Sequence, residues 1–191
     1  MGNTGSGGSG AYTYTIPTES ATNLKDYYIK ETDHEEIGFG IKDVISPMED
    51  TNGTDRFYVM ALTDVGKYSW YSNTDNLGTL NTKNEFGEGK TNTESIIELW
   101  NNDSNKDEEK DIWGQIKEGW FVPSRDEWSA FKGELGINKD NYDKKGLSDE
   151  YWSSSLSSLI PNFVSYISFD SDAYGASGAG LSNNFRLSTT F

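Results

Sequence analysis

The chain has 191 residues, enough for one domain with a sizeable core, and its 14% aromatic content argues against a disordered protein. Its net charge of −15 repels phosphate backbones and anionic lipid surfaces, no apolar run approaches the ~18 residues that span a bilayer, and the absence of Cys excludes disulfides, thiolate nucleophiles and zinc-thiolate sites. Nucleic acid and membrane insertion are therefore not expected, and twenty Gly with a hydrophobic fraction of 34% predict a loop-rich α+β fold.

The N-terminal part contains weak signals. Residues 1–10 (MGNTGSGGSG) have no apolar anchor, so we expect a flexible tether or a cloning scar, followed by a single domain over 11–191. The alternation in Tyr12–Ile16 predicts a short strand that ends before Pro17. The apolar spacing in 23–31 predicts a short helix.

Two segments in the next part have strand character. Residues 56–62 (RFYVMAL) form a bounded apolar run of strand length, and 67–71 (KYSWY) follow after a turn at 64–66. The two segments are predicted to pair as a β-hairpin.

Capping chemistry predicts two helices, in each of which a hydroxyl accepts a backbone N–H and a Glu three residues later reaches back. Residues 91–94 (TNTE) are expected to open the first helix, and the polar run 101–111 is expected to follow it as a solvated loop. Residues 124–127 (SRDE) are expected to open the second, which ends at Gly136. Short strands are predicted at 120–122, 163–169 and 185–191.

The composition changes at Ser153. From there to Phe191 the chain contains no Lys, Glu, Gln, Met or Trp, although all five occur before it. These five amino acids are the only ones without a codon that ends in a pyrimidine. A segment that lacks all of them can be produced by randomising the first two bases of such codons.

Three motifs occur in order along the C-terminal two thirds of the chain. Residues 119–128 read GWFVPSRDEW, 151–155 read YWSSS, and 185–191 read FRLSTTF. Together they resemble the C-type-lectin-like domains of the formylglycine-generating-enzyme type, and within that group the variable proteins of diversity-generating retroelements. The resemblance covers roughly 57–191.

This resemblance implies a fold with two helices and short, mostly antiparallel strands. It also implies that 153–191 is a variable region, because a reverse transcriptase that misincorporates at template adenines turns Asn codons into others with the same final pyrimidine. The implied function is ligand binding by a display protein, without catalysis or cofactor, on a phage tail or a bacterial surface. The implied partner is a protein or glycan on a target cell, and a trimer is one candidate assembly because related phage proteins form trimers.

A face that accepts many side chains must be separate from the core that holds it. The expected core anchors are Trp120, Trp128, Tyr151, Trp152, Phe169 and Leu187. Strand alternation predicts the ligand-binding face. Its residues are Ser157, Leu159, Ile160, Asn162, Phe163, Tyr166, Ser168, Asp170, Asp172, Tyr174, Ala176, Ser177, Ala179, Leu181, Ser182 and Asn183.

Other readings have less support in the sequence. His34 has no second imidazole nearby, and 50–55 (DTNGTD) lacks the distal Glu of a calcium loop, so no metal site is expected. Trp100–Asp103 (WNND) departs from the sugar-binding triplet of calcium-dependent lectins, and an adhesin that needs calcium is therefore disfavoured. The main alternative is a non-diversified C-type-lectin-like module with a structural or carbohydrate-binding role.

Overall fold

The computed structural model describes residues 3–7, 12–16, 28–31, 36–42 and 57–190, and side chains within 58–190. Over these residues the fold is α+β, with two α-helices and short, mostly antiparallel strands joined by many loops, as the sequence predicted. The strands are β1 (Asn3–Gly7), β2 (Tyr12–Ile16), β3 (Tyr28–Glu31), β4 (Glu36–Lys42), β5 (Phe57–Ala61), β6 (Gly66–Ser69), β7 (Glu150–Leu156), β8 (Phe163–Ser168), β9 (Ala173–Gly178), β10 (Ser182–Phe185) and β11 (Ser188–Thr190). The helices are α1 (Gly89–Asn102) and α2 (Arg125–Glu134), with 3₁₀ turns at Thr74–Thr79, Trp113–Gln115 and Asp143–Lys145.

The described strands form two sheets. The first has the order β1-β2-β3-β4-β5-β11 and is antiparallel throughout. The second has the order β6-β10-β7-β8-β9, in which only β10 and β7 are parallel. The predicted strands at Tyr12–Ile16 and 163–169 are confirmed, the latter ending at Ser168.

Two predictions for the N-terminal part need correction. The segment expected as a tether contains β1, which pairs with β2 over five residues, since a Gly/Ser backbone can still form ladder hydrogen bonds. The helix expected over 23–31 is wrong at Tyr28–Glu31, where β3 pairs with β2 and β4. Residues 23–27 lie outside the described residues.

The predicted hairpin of β5 and β6 is wrong, because the two strands belong to different sheets. The C-terminal segment runs antiparallel to both of them. Ala61 N–H donates to Leu187 C=O and Val65 N–H to Phe185 C=O, each at 2.9 Å. Gly66, at φ +145°, lets the chain turn from the first sheet to the second. The expected strand 185–191 is accordingly divided between β10 and β11.

The second helix forms as predicted and the first begins differently. Ser124 and Glu127 make the predicted capping box of α2, and Gly136 follows its end at φ +60°. Helix α1 begins at Gly89, three residues before the start that a cap at Thr91 predicts, and it has no side-chain cap. Thr91, the expected cap, therefore lies within the helix. The hydroxyl of Thr93 donates to Gly89 C=O at 2.7 Å and accepts from Val122 N–H at 3.0 Å.

Strand β7 separates two hydrophobic clusters. Its neighbouring residues Tyr151 and Trp152 point to opposite faces, because side chains alternate along a strand. Tyr151 packs with Trp128 and other residues of α2, whereas Trp152 packs with Trp100 and other residues of α1. Each helix therefore covers one face of the second sheet.

Four of the six predicted core anchors are buried, namely Trp128, Tyr151, Trp152 and Phe169. Trp120 and Leu187 are only partly buried and correct that prediction. The expected strand at 120–122 reduces to a single bridge between Phe121 and Ser188, although Phe121 and Val122 are fully buried in the core. Trp70 and Trp113, which the motifs did not indicate, are fully buried.

A buried carboxylate joins the N-terminal ends of the two helices. Glu127 is fully buried and accepts hydrogen bonds from Ser124 N–H at 2.6 Å and Gly87 N–H at 3.1 Å. Burial raises the pKa of Glu127 to about 7, while backbone hydrogen bonds from Ser124, Gly87 and Gly89 act in the opposite direction. A side chain at Gly89 would collide with this carboxylate.

This raised pKa predicts a pH-dependent stability. The contribution of Glu127 is fully present below about pH 4.5, where the carboxyl is protonated in both states, and is lost as the pH rises through about 7. Between pH 5 and 8 the wild type should lose up to about 3 kcal/mol of unfolding free energy relative to Glu127→Gln. Urea unfolding of both proteins across this range measures the difference. Glu134→Gln, at an exposed position of the same helix, retains Glu127 and should lose stability with rising pH as the wild type does. If the unfolding free energy of Glu127→Gln fell as steeply with pH as that of the wild type, the prediction would be contradicted.

Candidate ligand-binding face

Most of the predicted face is accessible to solvent. Nine of its residues are exposed and four are partly buried. The exposed residues are Leu159, Ile160, Asn162, Asp170, Asp172, Tyr174, Ala176, Leu181 and Ser182, and the partly buried ones are Ser157, Phe163, Tyr166 and Ser177. The predicted separation of surface and core therefore agrees with the accessibility of most of these residues.

Three predicted face residues are buried, which corrects their assignment. Ser168, Ala179 and Asn183 are 5%, 0% and 8% exposed. Ala179 belongs to the cluster on the α1 side, and its C=O accepts from Tyr71 N–H at 2.9 Å. Alternation along a strand does not mark exposed residues where helices and loops cover both faces of the sheet.

The exposed residues gather at the two ends of the β8–β9 hairpin. At one end, the loops 157–162 and 179–181 lie together, because Ala179 N–H donates to Asn162 C=O at 2.9 Å. We call this the apolar end, since Leu159, Ile160 and Leu181 are exposed there. At the other end, the turn 169–172 carries Asp170 and Asp172, and we call this the acidic end. Strands of six residues place the two ends roughly 20 Å apart.

A groove of about 410 Å³ adjoins the apolar end. One wall is the loop 156–162, which belongs to the composition-restricted segment, and the other is 77–85, which does not. Leu77, Leu80, Leu156 and Pro161 contribute apolar surface, and Asn81, Thr82, Lys83, Asn84, Glu85, Ser157, Ser158 and Asn162 contribute polar groups. The groove therefore combines apolar and hydrogen-bonding surface.

Hydrogen bonds from the scaffold hold the wall at 77–85 in place. The Asn92 side chain accepts from Lys83 N–H at 2.8 Å and donates to Lys83 C=O at 2.7 Å. Ser155 Oγ donates to the same carbonyl at 2.8 Å, and Leu156 N–H donates to Thr82 Oγ1 at 2.7 Å. These contacts give the groove a fixed geometry. The sequence did not indicate this wall, because 81–85 has the composition of an ordinary polar loop.

The acidic end is tied to α2. Tyr174 OH donates to Ser129 Oγ at 2.9 Å, and Asp172 forms an ion pair with Lys132. Burial raises the pKa of the Tyr174 phenol. Although 40% of Tyr174 is exposed, its hydroxyl is already satisfied within the domain.

Backbone conformation restricts two exposed members of the face. Asn162 and Asp172 have φ values of 59° and 55°, in the left-handed region that Asn and Asp tolerate better than most residues. Gly175 is restricted for another reason, since a side chain there would collide with the ring of Tyr166. We therefore expect fewer replacements at these positions than at Leu159 or Leu181.

The polar loop after α1 is less solvated than the sequence predicted. Asp103 and Asp111, at its two ends, are 5% and 1% exposed. Asp103 accepts from Tyr71 OH at 3.0 Å, and the backbone N–H of Asn105 lowers the pKa of Asp103. Burial raises the pKa of Tyr71, assisted by this contact. The two carboxylates fix the loop to the domain, and no sequence pattern indicated them.

The remaining site candidates stay as predictions. His34 and 50–55 lie outside the described residues. Trp100–Asp103 occupies the end of α1, as expected. Within the part of the chain that the structure describes, there is no group of three or more His, Cys, Asp or Glu that could hold a metal ion. Among the described helices, none is long and apolar enough to cross a membrane.

Comparison of the chain with protein-family models and with curated proteins finds no match.

Proposed function

We propose that the protein is a ligand-binding display protein with a C-type-lectin-like domain, diversified in its C-terminal region by a retroelement. Its apolar end and the adjoining groove bind a protein or glycan on a cell surface, or a secreted partner. The activity is recognition without catalysis, and the site of action is a phage tail or a bacterial surface.

One observation carries this proposal. Of the five large hydrophobic side chains that are exposed within 58–190, four lie in the composition-restricted segment. Leu159 and Leu181 are 89% and 60% exposed at the apolar end, and Ile160 lies beside Leu159. Exposed apolar residues that cluster in this way mark an interaction site. A mixture of apolar anchors with Ser, Gly and Asn is also typical of adaptable recognition surfaces.

The groove favours the alternative, a non-diversified module that binds carbohydrate. The wall at 77–85 lies outside the composition-restricted segment and is held rigidly by Asn92. A rigid groove with amide and hydroxyl groups suits a ligand of fixed structure.

The DNA of the locus distinguishes the two functions. Diversification requires a near-copy repeat of the codons for 153–191, with adenines at the differing positions, and an adjacent reverse transcriptase gene. If the locus contains neither, the diversified display function is overturned and the fixed module is supported.

Substitution at the apolar end should separate binding from stability. The double variant Leu159→Asn, Leu181→Asn should change the unfolding free energy by less than about 0.5 kcal/mol, because both side chains are exposed. Its binding to a panel of bacterial cells, measured by flow cytometry, should fall at least tenfold. Val164→Asn, at a buried position of β8, should instead cost about 3 kcal/mol. Unfolding of the double variant, or unchanged binding to cells that retain the wild type, would contradict the proposal.

A further inference from the structure

Strand β9 is the outermost strand of the second sheet among the described residues. It is the last strand in the order β6-β10-β7-β8-β9, and no described strand pairs with its outer edge. Three of its residues are exposed and three are partly buried. Edge strands usually carry Lys, Pro or a bulge that prevents pairing with another chain. Strand β9 has the sequence AYGASG, and its register with β8 is uninterrupted.

The register identifies the backbone groups that point outward. Ala179 N–H donates to Asn162 C=O, and this pair continues the β8–β9 register. In an antiparallel ladder, hydrogen-bonded pairs alternate with non-bonded pairs. Residues 173, 175 and 177 therefore bond to β8. The N–H groups of Tyr174, Ala176 and Gly178 point away from the sheet.

We propose that this edge pairs with the same edge of a second copy, in an antiparallel arrangement about a two-fold axis at Ala176. The two Ala176 residues then exchange both N–H and C=O bonds. Gly178 N–H of each copy donates to Tyr174 C=O of the other. Two five-stranded sheets join into one of ten strands, through a self-complementary interface.

Side chains and charge fit this register. Tyr174 of one copy lies opposite Gly178 of the other, on the same face. A Cβ placed on Gly178 would meet no atom within 4 Å, so the domain leaves this position open beside the facing tyrosine. Residues 173–182 contain no charge in a chain of net charge −15. Asp172 lies opposite Gly180 of the second copy and not opposite another carboxylate. The edge is thus a neutral strip along which two acidic molecules can approach.

The proposal predicts self-association that increases with salt. Each copy carries the same negative net charge, and added salt screens the repulsion between them. Sedimentation velocity from about 1 to 200 µM should show a dimer that is stronger in 0.5 M than in 0.05 M NaCl. Amide exchange should slow at Ala176 and Gly178 as the concentration rises. A monomer at every concentration and salt level overturns the proposal.

Charge substitution at the two-fold axis tests the register. Opposite residues of an antiparallel pair have Cβ atoms about 5 Å apart, so Ala176→Asp and Ala176→Lys each bring like charges together. Each variant alone should dimerise at least tenfold more weakly, and an equimolar mixture should recover the dimer. Ser95→Asp and Ser95→Lys, which place the same charges on the exposed side of α1, should have no comparable effect.

Ala176→Pro provides an independent variant. It removes an outward N–H without removing a bond to β8, so the thermal midpoint should change little while dimerisation is lost. If the dimer persists in A176P, or if the mixture of the Asp and Lys variants stays monomeric, the proposed edge is wrong. These experiments use no ligand, so their failure leaves the proposed recognition at the apolar end untouched.

Discussion

Replacement of Asp64 by alanine should lower the free energy of unfolding by about 3–5 kcal/mol, because it leaves a buried guanidinium without its counter-charge. The Arg186 side chain is 2% exposed, and its Nε lies 2.6 Å from Asp64 Oδ1. Asp64 also accepts from Tyr151 OH and from Ser148 Oγ, each at 2.8 Å. Burial raises the pKa of Tyr151 to about 12, so this phenol remains a donor at neutral pH.

The position of Arg186 explains why this effect should be large. Arg186 lies between β10 and β11, where the chain passes from one sheet to the other, and its Nη2 donates to Gly146 C=O at 2.5 Å. Loss of Asp64 therefore removes an ion pair and also weakens the connection between the two sheets.

Denaturant unfolding of three variants measures this coupling. Asp75→Ala, at an exposed position, should stay within about 0.5 kcal/mol of the wild type. Asp64→Ala combined with Arg186→Met should be more stable than Asp64→Ala alone, because the unpaired cation is also removed. A loss below about 1 kcal/mol for Asp64→Ala would show that water already compensates the guanidinium.

Elements whose determinants are close in sequence were predictable. Helix α2 was predicted because the capping residues Ser124 and Glu127 and the terminating Gly136 all belong to one short segment. The pairing of β5 was not predictable from local sequence, because its partners come from β4 and from the far end of the chain. Thr91 and Glu94 fit a capping box in the sequence, but α1 already begins at Gly89. There Thr93 Oγ1 connects the helix to Val122 N–H, a contact that a local pattern does not contain.

The candidate site was predictable only where its determinants are close in sequence. The composition break located the segment that carries the exposed apolar residues, because it reflects which side chains the segment contains and not how they pair. Strand alternation failed at Ala179, since burial there depends on the loop around Tyr71 that covers the strand end. The groove wall at 77–85 was missed because tertiary hydrogen bonds from Asn92, and not its own residue types, place it beside the face.

The carboxylate of Asp111 is expected to be as important for stability as that of Asp64. It is 1% exposed, and each of its oxygens accepts two hydrogen bonds. Oδ1 accepts from Ser69 Oγ at 2.9 Å and Ser72 N–H at 2.8 Å, and Oδ2 accepts from Ser72 Oγ at 2.9 Å and Trp100 Nε1–H at 3.0 Å. Strand β6, helix α1 and the loop after it thus meet at one side chain.

Asp111→Ala should therefore cost about 3–5 kcal/mol, because Ser72 N–H, Ser72 Oγ and the buried indole N–H of Trp100 lose their acceptor. Ser69 Oγ keeps Lys110 C=O as an acceptor at 3.0 Å. Asp111→Asn tests whether the cause is hydrogen bonding or size. The hydroxyls of Ser69 and Ser72 can rotate to accept from an amide, but Ser72 N–H and Trp100 Nε1–H cannot. Whichever way the new amide points, one of these two donors faces an NH₂ group, so Asp111→Asn should cost about 2 kcal/mol although its shape is conserved.

Urea unfolding at constant m-value measures both losses, with Glu109→Ala as the matched control from the exposed part of the same loop. The control should stay within about 0.5 kcal/mol of the wild type. If Asp111→Asn were as stable as the wild type, the two obligatory donors would have other acceptors, and the carboxylate would not be the junction of strand, helix and loop. If Glu109→Ala cost as much stability as Asp111→Ala, the stabilisation would come from the loop as a whole and not from Asp111 at its buried end.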